Sequence, residues 1–253
     1  MTVRHSRLNG ALLALAVVAV VAVVAVVAVV GQAAWRIKLS ADLARQSEAL
    51  QASPPGATAR LLIVGDSTAV GTGASSAGSS LAGLIAHDHP RLAIVNRAAD
   101  GARFADIARQ LAGAGQFDAI LVLGGGNDVI RLTGQQALGQ AISATLELAR
   151  AQAPQVIVMP PGNVGNAPFF FAPLTWLMTQ RSKSLHALVR QAAAASGAVY
   201  VSLYQGRADD PFAQRPDELN APDGLHPSAA GYRVWYAALQ SQAALQSRLA
   251  GLR

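Results

Sequence analysis

The sequence predicts a doubly wound α/β domain, three layers deep, standing behind a single membrane-spanning helix. Three observations lead there. Short apolar runs of four or five residues alternate with longer stretches that suit helices, the pattern of a parallel sheet covered on both faces. The first run, Leu61–Val64, ends directly in Gly65-Asp66-Ser67. Ala11–Val30 is an unbroken series of Ala, Leu and Val without a charged or polar side chain.

At 1.5 Å per residue, Ala11–Val30 reaches about 30 Å, the hydrocarbon thickness of a bilayer. It is apolar all round, whereas a buried core helix keeps a polar stripe. Arg4, His5 and Arg7 precede it. A cleavable signal peptide shares that start, and Gly31-Gln32-Ala33 offers a small-residue site, but its apolar region runs to about 7–15 residues. Length favours an uncleaved anchor. Residues 1–10 are then a short basic tail and 11–31 the anchor. Residues 32–58 hold a juxtamembrane helix (Ile37–Leu50) and a Pro-rich linker (Gln51–Ala57), and residues 59–253 form the globular domain. Trp35 suits the membrane interface. Arg4 and Arg7 nearly balance Arg36, Lys38 and Arg45, and the short leading tail places the globular domain outside the cytoplasm, periplasmic or extracellular.

Within that domain the expected order begins with strand Leu61–Val64 and helix Ser75–His87. Strand Leu92–Val95 and helix Arg103–Ala112 follow, then strand Ala119–Leu123 and helix Gln135–Gln152. The last expected elements are strand Gln155–Met159, helix Trp176–Ala195, strand Ala198–Ser202 and a closing helix Ser228–Leu249.

Composition narrows the function. The net charge is +6, divided equally between residues 1–58 and 59–253, and the arginines of the domain are scattered singly without aromatic interleaving. That excludes a nucleic-acid surface. With no cysteine, disulfides and thiolate metal sites are ruled out. The Gly-rich turns fail both phosphate-binding patterns: Gly65–Gly73 contains no GxxxxGK[ST], and neither Gly71-Thr72-Gly73 nor Gly124-Gly125-Gly126 continues as GxGxxG.

Four loops carry candidate chemistry. Ser67 stands where a strand gives way to a helix, so it is either a helix N-cap or a nucleophile. Asp223-Gly-Leu-His226-Pro227 supplies a base and a group to orient it, or else a turn and a helix cap. Asn127, in Gly125-Gly126-Asn127-Asp128, offers an amide N–H to a developing oxyanion, a donor that contributes about 3–4 kcal/mol at a transition state, or simply completes a turn. Gly101, in Asn96-Arg-Ala-Ala-Asp-Gly101, lets a backbone N–H approach the same place, or belongs to a flexible loop. All four follow a strand directly, and in a parallel sheet those ends share one edge.

With these motifs in this order, the chain resembles the SGNH (GDSL-type) hydrolases over about Ala59–Gln240. The first motif is Gly65-Asp66-Ser67, the second Asn96 with Gly101, the third Gly125-Gly126-Asn127-Asp128 and the last Asp223 with His226. The resemblance implies a flavodoxin-like sheet and hydrolysis of acyl esters by a membrane-anchored serine esterase, lipase- or thioesterase-like. Ser67 would be the nucleophile, His226 the base and Asp223 its orienting carboxylate. The Ser67 and Gly101 N–H groups and the Asn127 side chain would bind the oxyanion. Thr68 departs from the leucine that gives the motif its name. Two other functions stay open: acyl or acetyl transfer or hydrolysis on a glycan with the same residues, and a non-catalytic binding module tethered to the membrane.

Pro160–Met178 matches no motif. Its aromatic cluster, Phe169, Phe170, Phe171 and Trp176, is assigned to substrate binding as a wall for an acyl chain, with core packing and a membrane-dipping surface as the competing readings. His87, His89 and His186 fall at helix ends and faces, and neither a metal nor a cofactor is expected.

Overall fold

The computed structural model describes residues 2–244, with side-chain surroundings from residue 15 on. The expected end of the closing helix, from residue 245, lies outside the described residues. The chain divides into two compact units, up to Leu39 and from Ser40. The first unit is helical throughout its described length, and it belongs to α1, Thr2–Gln46. The apolar side chains from Leu15 to Val30 are exposed, and this is the one helix among the described residues long and apolar enough to cross a membrane.

The second unit is built on five parallel strands: β1 (Ala59–Gly65), β2 (Leu92–Asn96), β3 (Ala119–Leu123), β4 (Gln155–Met159) and β5 (Val199–Tyr200). Their order across the sheet is β2–β1–β3–β4–β5. Register pairs Ile63 with Asn96 on one side of β1 and with Leu121 on the other, which brings the carboxyl ends of the strands level. Alternating side chains go to opposite faces. Leu62, Val64, Ile120 and Val122 pack under α4 (Phe104–Gln110), α6 (Gln135–Gln152) and α7 (Leu174–Ser196). Leu61, Ile63, Leu121 and Leu123 pack under α3 (Leu81–Asp88) and α10 (Ala229–Ala243), which two short helices, α8 (Pro211–Gln214) and α9 (Pro216–Leu219), precede. Three layers result, as the continuous apolar strands require.

Differences from expectation are local. α3 begins at Leu81, because Ser80 caps it by accepting the Gly83 N–H at 3.1 Å and a short 3-10 turn occupies Ala77–Ser79. β5 is a two-residue edge strand pairing with β4 alone. Residues 51–52 lie against the opposite edge: Ala52 and Ile94 exchange backbone hydrogen bonds of 3.0 and 2.8 Å, and Gln51 bonds both backbone groups of Asn96. Ser40–Thr58, expected as a helix and linker ahead of the domain, thus lies within the same compact unit as the sheet.

Candidate active site

Gly65 ends β1 two residues before Ser67, and its role is space. A Cβ there would sit 2.0 Å from the Leu123 carbonyl oxygen, so only glycine lets β1 and β3 close at this height. The chain then enters α2 (Ser67–Val70). Asp66 caps α2, its Oδ1 accepting the Thr68 N–H at 2.9 Å and the Thr68 hydroxyl at 2.7 Å. Capping falls to Asp66, and the Ser67 hydroxyl is left for another partner.

The partner is His226. The two are 159 residues apart in sequence, and the Ser67 hydroxyl lies 2.9 Å from His226 Nε2. His226 Nδ1 lies 2.6 Å from Asp223 Oδ2. A carboxylate only accepts, so Nδ1 carries the proton and Nε2 accepts from Ser67. Helix capping beyond this loop is done by Ser228, which accepts the Gly231 N–H at 3.1 Å, so His226 is not needed for it. Ser67 and His226 keep 8% and 9% of their surface open, whereas Asp223 is fully buried. Burial by itself pushes the Asp223 carboxyl up. His226, the Ser40 hydroxyl and the Leu225 N–H outweigh it and hold the group at about 2. Asp66, also buried, is pushed up by desolvation against the opposing Thr68 bonds.

The other two loops meet the same edge. The Asn96 amide donates to the Ala69 carbonyl at 2.8 Å and so fastens the end of β2 to α2. Asp128 accepts the Phe104 N–H at 2.9 Å, which ties α5 (Gly126–Ile130) to the start of α4, directly after the loop that carries Gly101. Burial raises the Asp128 carboxyl, with that N–H opposing. Asn127 Nδ2 donates one hydrogen to the Ala102 carbonyl at 3.2 Å, leaving the second amide hydrogen uncommitted to it. Gly101 has φ +75°. Ser67, Gly101, Asn127 and His226 all line one cleft of about 470 Å³.

The four aromatics assigned to substrate binding do not line this cleft. The chain leaves the rim after Ala167. Phe170 turns into the core beside α7, with Phe169 edge-on at 5.0 Å between ring centres, while Phe171 and Trp176 are exposed. Apolar walls come instead from Leu203, Phe212, Val234, Trp235 and Ala238, which motif spacing does not flag. Sequence reasoning also missed Ser40. It lines the cleft, and its hydroxyl donates to Asp223 Oδ2 at 2.7 Å. No local pattern marks a lone serine inside a helix.

Residues 63–234 match the GDSL-like lipase/acylhydrolase family. No curated protein matches the sequence. Among solved structures, LAE5, an α/β hydrolase enzyme from the metagenome of Lake Arreo in Spain, superposes with a TM-score of 0.56 at 23% identity, covering 78% of this chain and 98% of its own. TesA superposes with a TM-score of 0.58 at 18% identity, covering 72% and 97%. Axe2, an acetylxylan esterase from Geobacillus stearothermophilus, gives a TM-score of 0.52 at 20% identity, covering 75% and 96%. At these identities the solved structures establish the fold.

Proposed function

Because the chain belongs to the GDSL-like lipase/acylhydrolase family, we propose that it hydrolyses acyl esters through a Ser67–His226–Asp223 triad and an acyl-enzyme. One observation carries this reading: two hydrogen bonds in series, 2.9 and 2.6 Å long, join a serine hydroxyl, an imidazole and a buried carboxylate drawn from opposite ends of the domain. His226 Nε2 takes the Ser67 proton as Oγ attacks the ester carbonyl. Asp223 holds Nδ1–H in place and stabilises the imidazolium that forms. The oxyanion is received by the Ser67 and Gly101 N–H groups and the free Asn127 amide hydrogen. Collapse expels the alcohol, which collects its proton from His226. Water, deprotonated by the same imidazole, then frees the acid and restores Ser67.

The acyl chain lies along Leu203, Val234 and Trp235, since pockets of this kind are walled mainly by apolar side chains. The apolar part of α1 is an uncleaved single-pass anchor, with the hydrolase outside the cytoplasm. Cysteine placed ahead of the span and in the domain, tested with an impermeant thiol reagent on intact cells, reads that topology. Modification of the leading site alone overturns it.

The enzymatic test uses the full chain in detergent with p-nitrophenyl esters of graded acyl length. Ser67→Ala and His226→Ala are expected to reduce kcat by at least about a thousandfold. A fluorophosphonate should label the wild type and not Ser67→Ala. Turnover that survives either substitution overturns the triad, and a folded protein that neither labels nor turns over is a binding module instead. Added alcohol acceptor distinguishes hydrolysis from transfer by the product released.

A further inference from the structure

Asp223 is held more completely than its own loop accounts for. Oδ1 accepts the Leu225 N–H at 3.0 Å and the His226 N–H at 3.1 Å. Oδ2 accepts His226 Nδ1–H at 2.6 Å and the Ser40 hydroxyl at 2.7 Å. Three of these donors come from Leu225 and His226 in the same loop. The fourth reaches across 183 positions from α1, outside the residues that match the family.

Ser40 is not a loose contact. Beyond it α1 ends at Gln46, and the chain is then fastened to the sheet edge through the Gln51–Asn96 and Ala52–Ile94 hydrogen bonds. Asn96 in turn donates to the Ala69 carbonyl in α2, the helix that Ser67 opens. The segment bearing Ser40 is therefore built onto the same frame as the nucleophile. Ala44, four residues on and on the same helix face, lines the cleft with it.

We propose that Ser40 is a positioning residue for the reaction. It acts through Asp223, and the end of α1 is a working part of the site. The inference rests on the triad reading above. The Leu225 and His226 N–H groups anchor Oδ1, but with one donor Oδ2 can still pivot about that anchored edge. A second donor on Oδ2 fixes the plane of the carboxylate, and with it the direction of the imidazole. It also satisfies a lone pair that burial would otherwise leave without a partner. Ser40 spends its only proton on Asp223, so its effect falls on kcat and not on substrate affinity.

The test compares isosteres in the full chain, in detergent. Ser40→Thr keeps the hydroxyl and adds a methyl, Ser40→Val has the shape of that threonine with a methyl in place of the hydroxyl, and Ser40→Ala removes the hydroxyl without added bulk. Rates are counted per site titrated by a fluorophosphonate, so unfolded protein does not enter. Valine and alanine are expected to lose about tenfold in kcat with KM within about twofold, and threonine to stay within about threefold of wild type. The inference is overturned if threonine and valine behave alike, if the change is in KM alone, or if valine and alanine lose their titratable sites altogether, which marks a structural role. Ser67→Ala, run beside them, separates the two readings. Activity that survives it removes the triad, whereas a dead Ser67→Ala with wild-type Ser40→Val removes only the role of Ser40.

Discussion

Asp223 keeps its charge although no part of it reaches solvent. Desolvation opposes ionisation, and the donors around it prevail, lowering the group from 3.8 to about 2. A carboxyl whose pKa is depressed on folding adds stability that is fully present above its unfolded value. That stability is lost as pH falls through the folded one. Asp66 and Asp128, both raised by burial, work in the opposite direction. Comparing the wild type with Asp223→Asn cancels their effect, because both proteins carry them. The difference in melting temperature between the two is expected to be constant at neutral pH and to shrink between about pH 4 and about pH 2. A gap that widens on acidification contradicts the assignment. The same variant places an amide NH2 against two donors and favours the wrong imidazole tautomer, so kcat falls by about a thousandfold or more.

Between elements, the loop after α2 is pressed against the loop that bears His226. Gly73 has φ +91°, and a Cβ on it would stand 2.5 Å from the Pro227 carbonyl oxygen and 3.0 Å from His226 Cβ. Gly73→Ala meets both a disfavoured backbone conformation and backbone that cannot yield. It is expected to lose roughly 2–4 kcal/mol of stability and at least about tenfold in kcat, because the loop it displaces carries the imidazole. Gly56 shares the left-handed conformation, φ +69°, with nothing within 4 Å. Gly56→Ala therefore loses only about 1 kcal/mol and leaves kcat unchanged. Equal effects on kcat from the two substitutions would show that the loop contact does not govern the site. Element by element, β3 and β4 fall where their apolar runs predict, since strands buried on both faces leave a continuous signal. β5 shrinks to Val199–Tyr200 because a ladder on one side sets its length, and no residue type encodes that. Phe169–Trp176 was legible as an aromatic cluster but not in its destination. The departure of the chain after Ala167 and the start of α7 at Leu174 decide that. Ser67, Asp223 and His226, which hydrogen bonds join, each sit in a motif with a fixed spacing, while Ser40 has only a partner in space.

At the scale of the molecule, the compact unit that holds the sheet starts inside α1, well ahead of the first sheet strand. The segment from Ser40 to Thr58 supplies a donor to Asp223, part of the cleft wall and a cover for the exposed edge of β2. Leu50 and Ala52 also pack against the core between the sheet and α3. Removing it takes away the Ser40 bond, two bonds from Gln51, two from Ala52 and the one from the Thr58 N–H to the Arg91 carbonyl. At about 0.5–1.5 kcal/mol each, with incomplete additivity, the loss is roughly 2–4 kcal/mol. It also bares the β2 edge to pairing with another chain. A chain beginning at Ala34 keeps the new amino terminus clear of Asp223. It is expected to melt within a few degrees of full-length protein in the same detergent. One beginning at Ala59 should melt roughly 5–10 °C lower, since about 1 kcal/mol moves the midpoint of a domain this size by about 2–4 °C. It should also aggregate at lower concentration and turn over more slowly per titrated site. Melting curves and sedimentation of the two truncations decide the matter. If the Ala59 chain is as stable and as active as the Ala34 chain, residues 40–58 are only a tether, and the catalytic unit begins at β1.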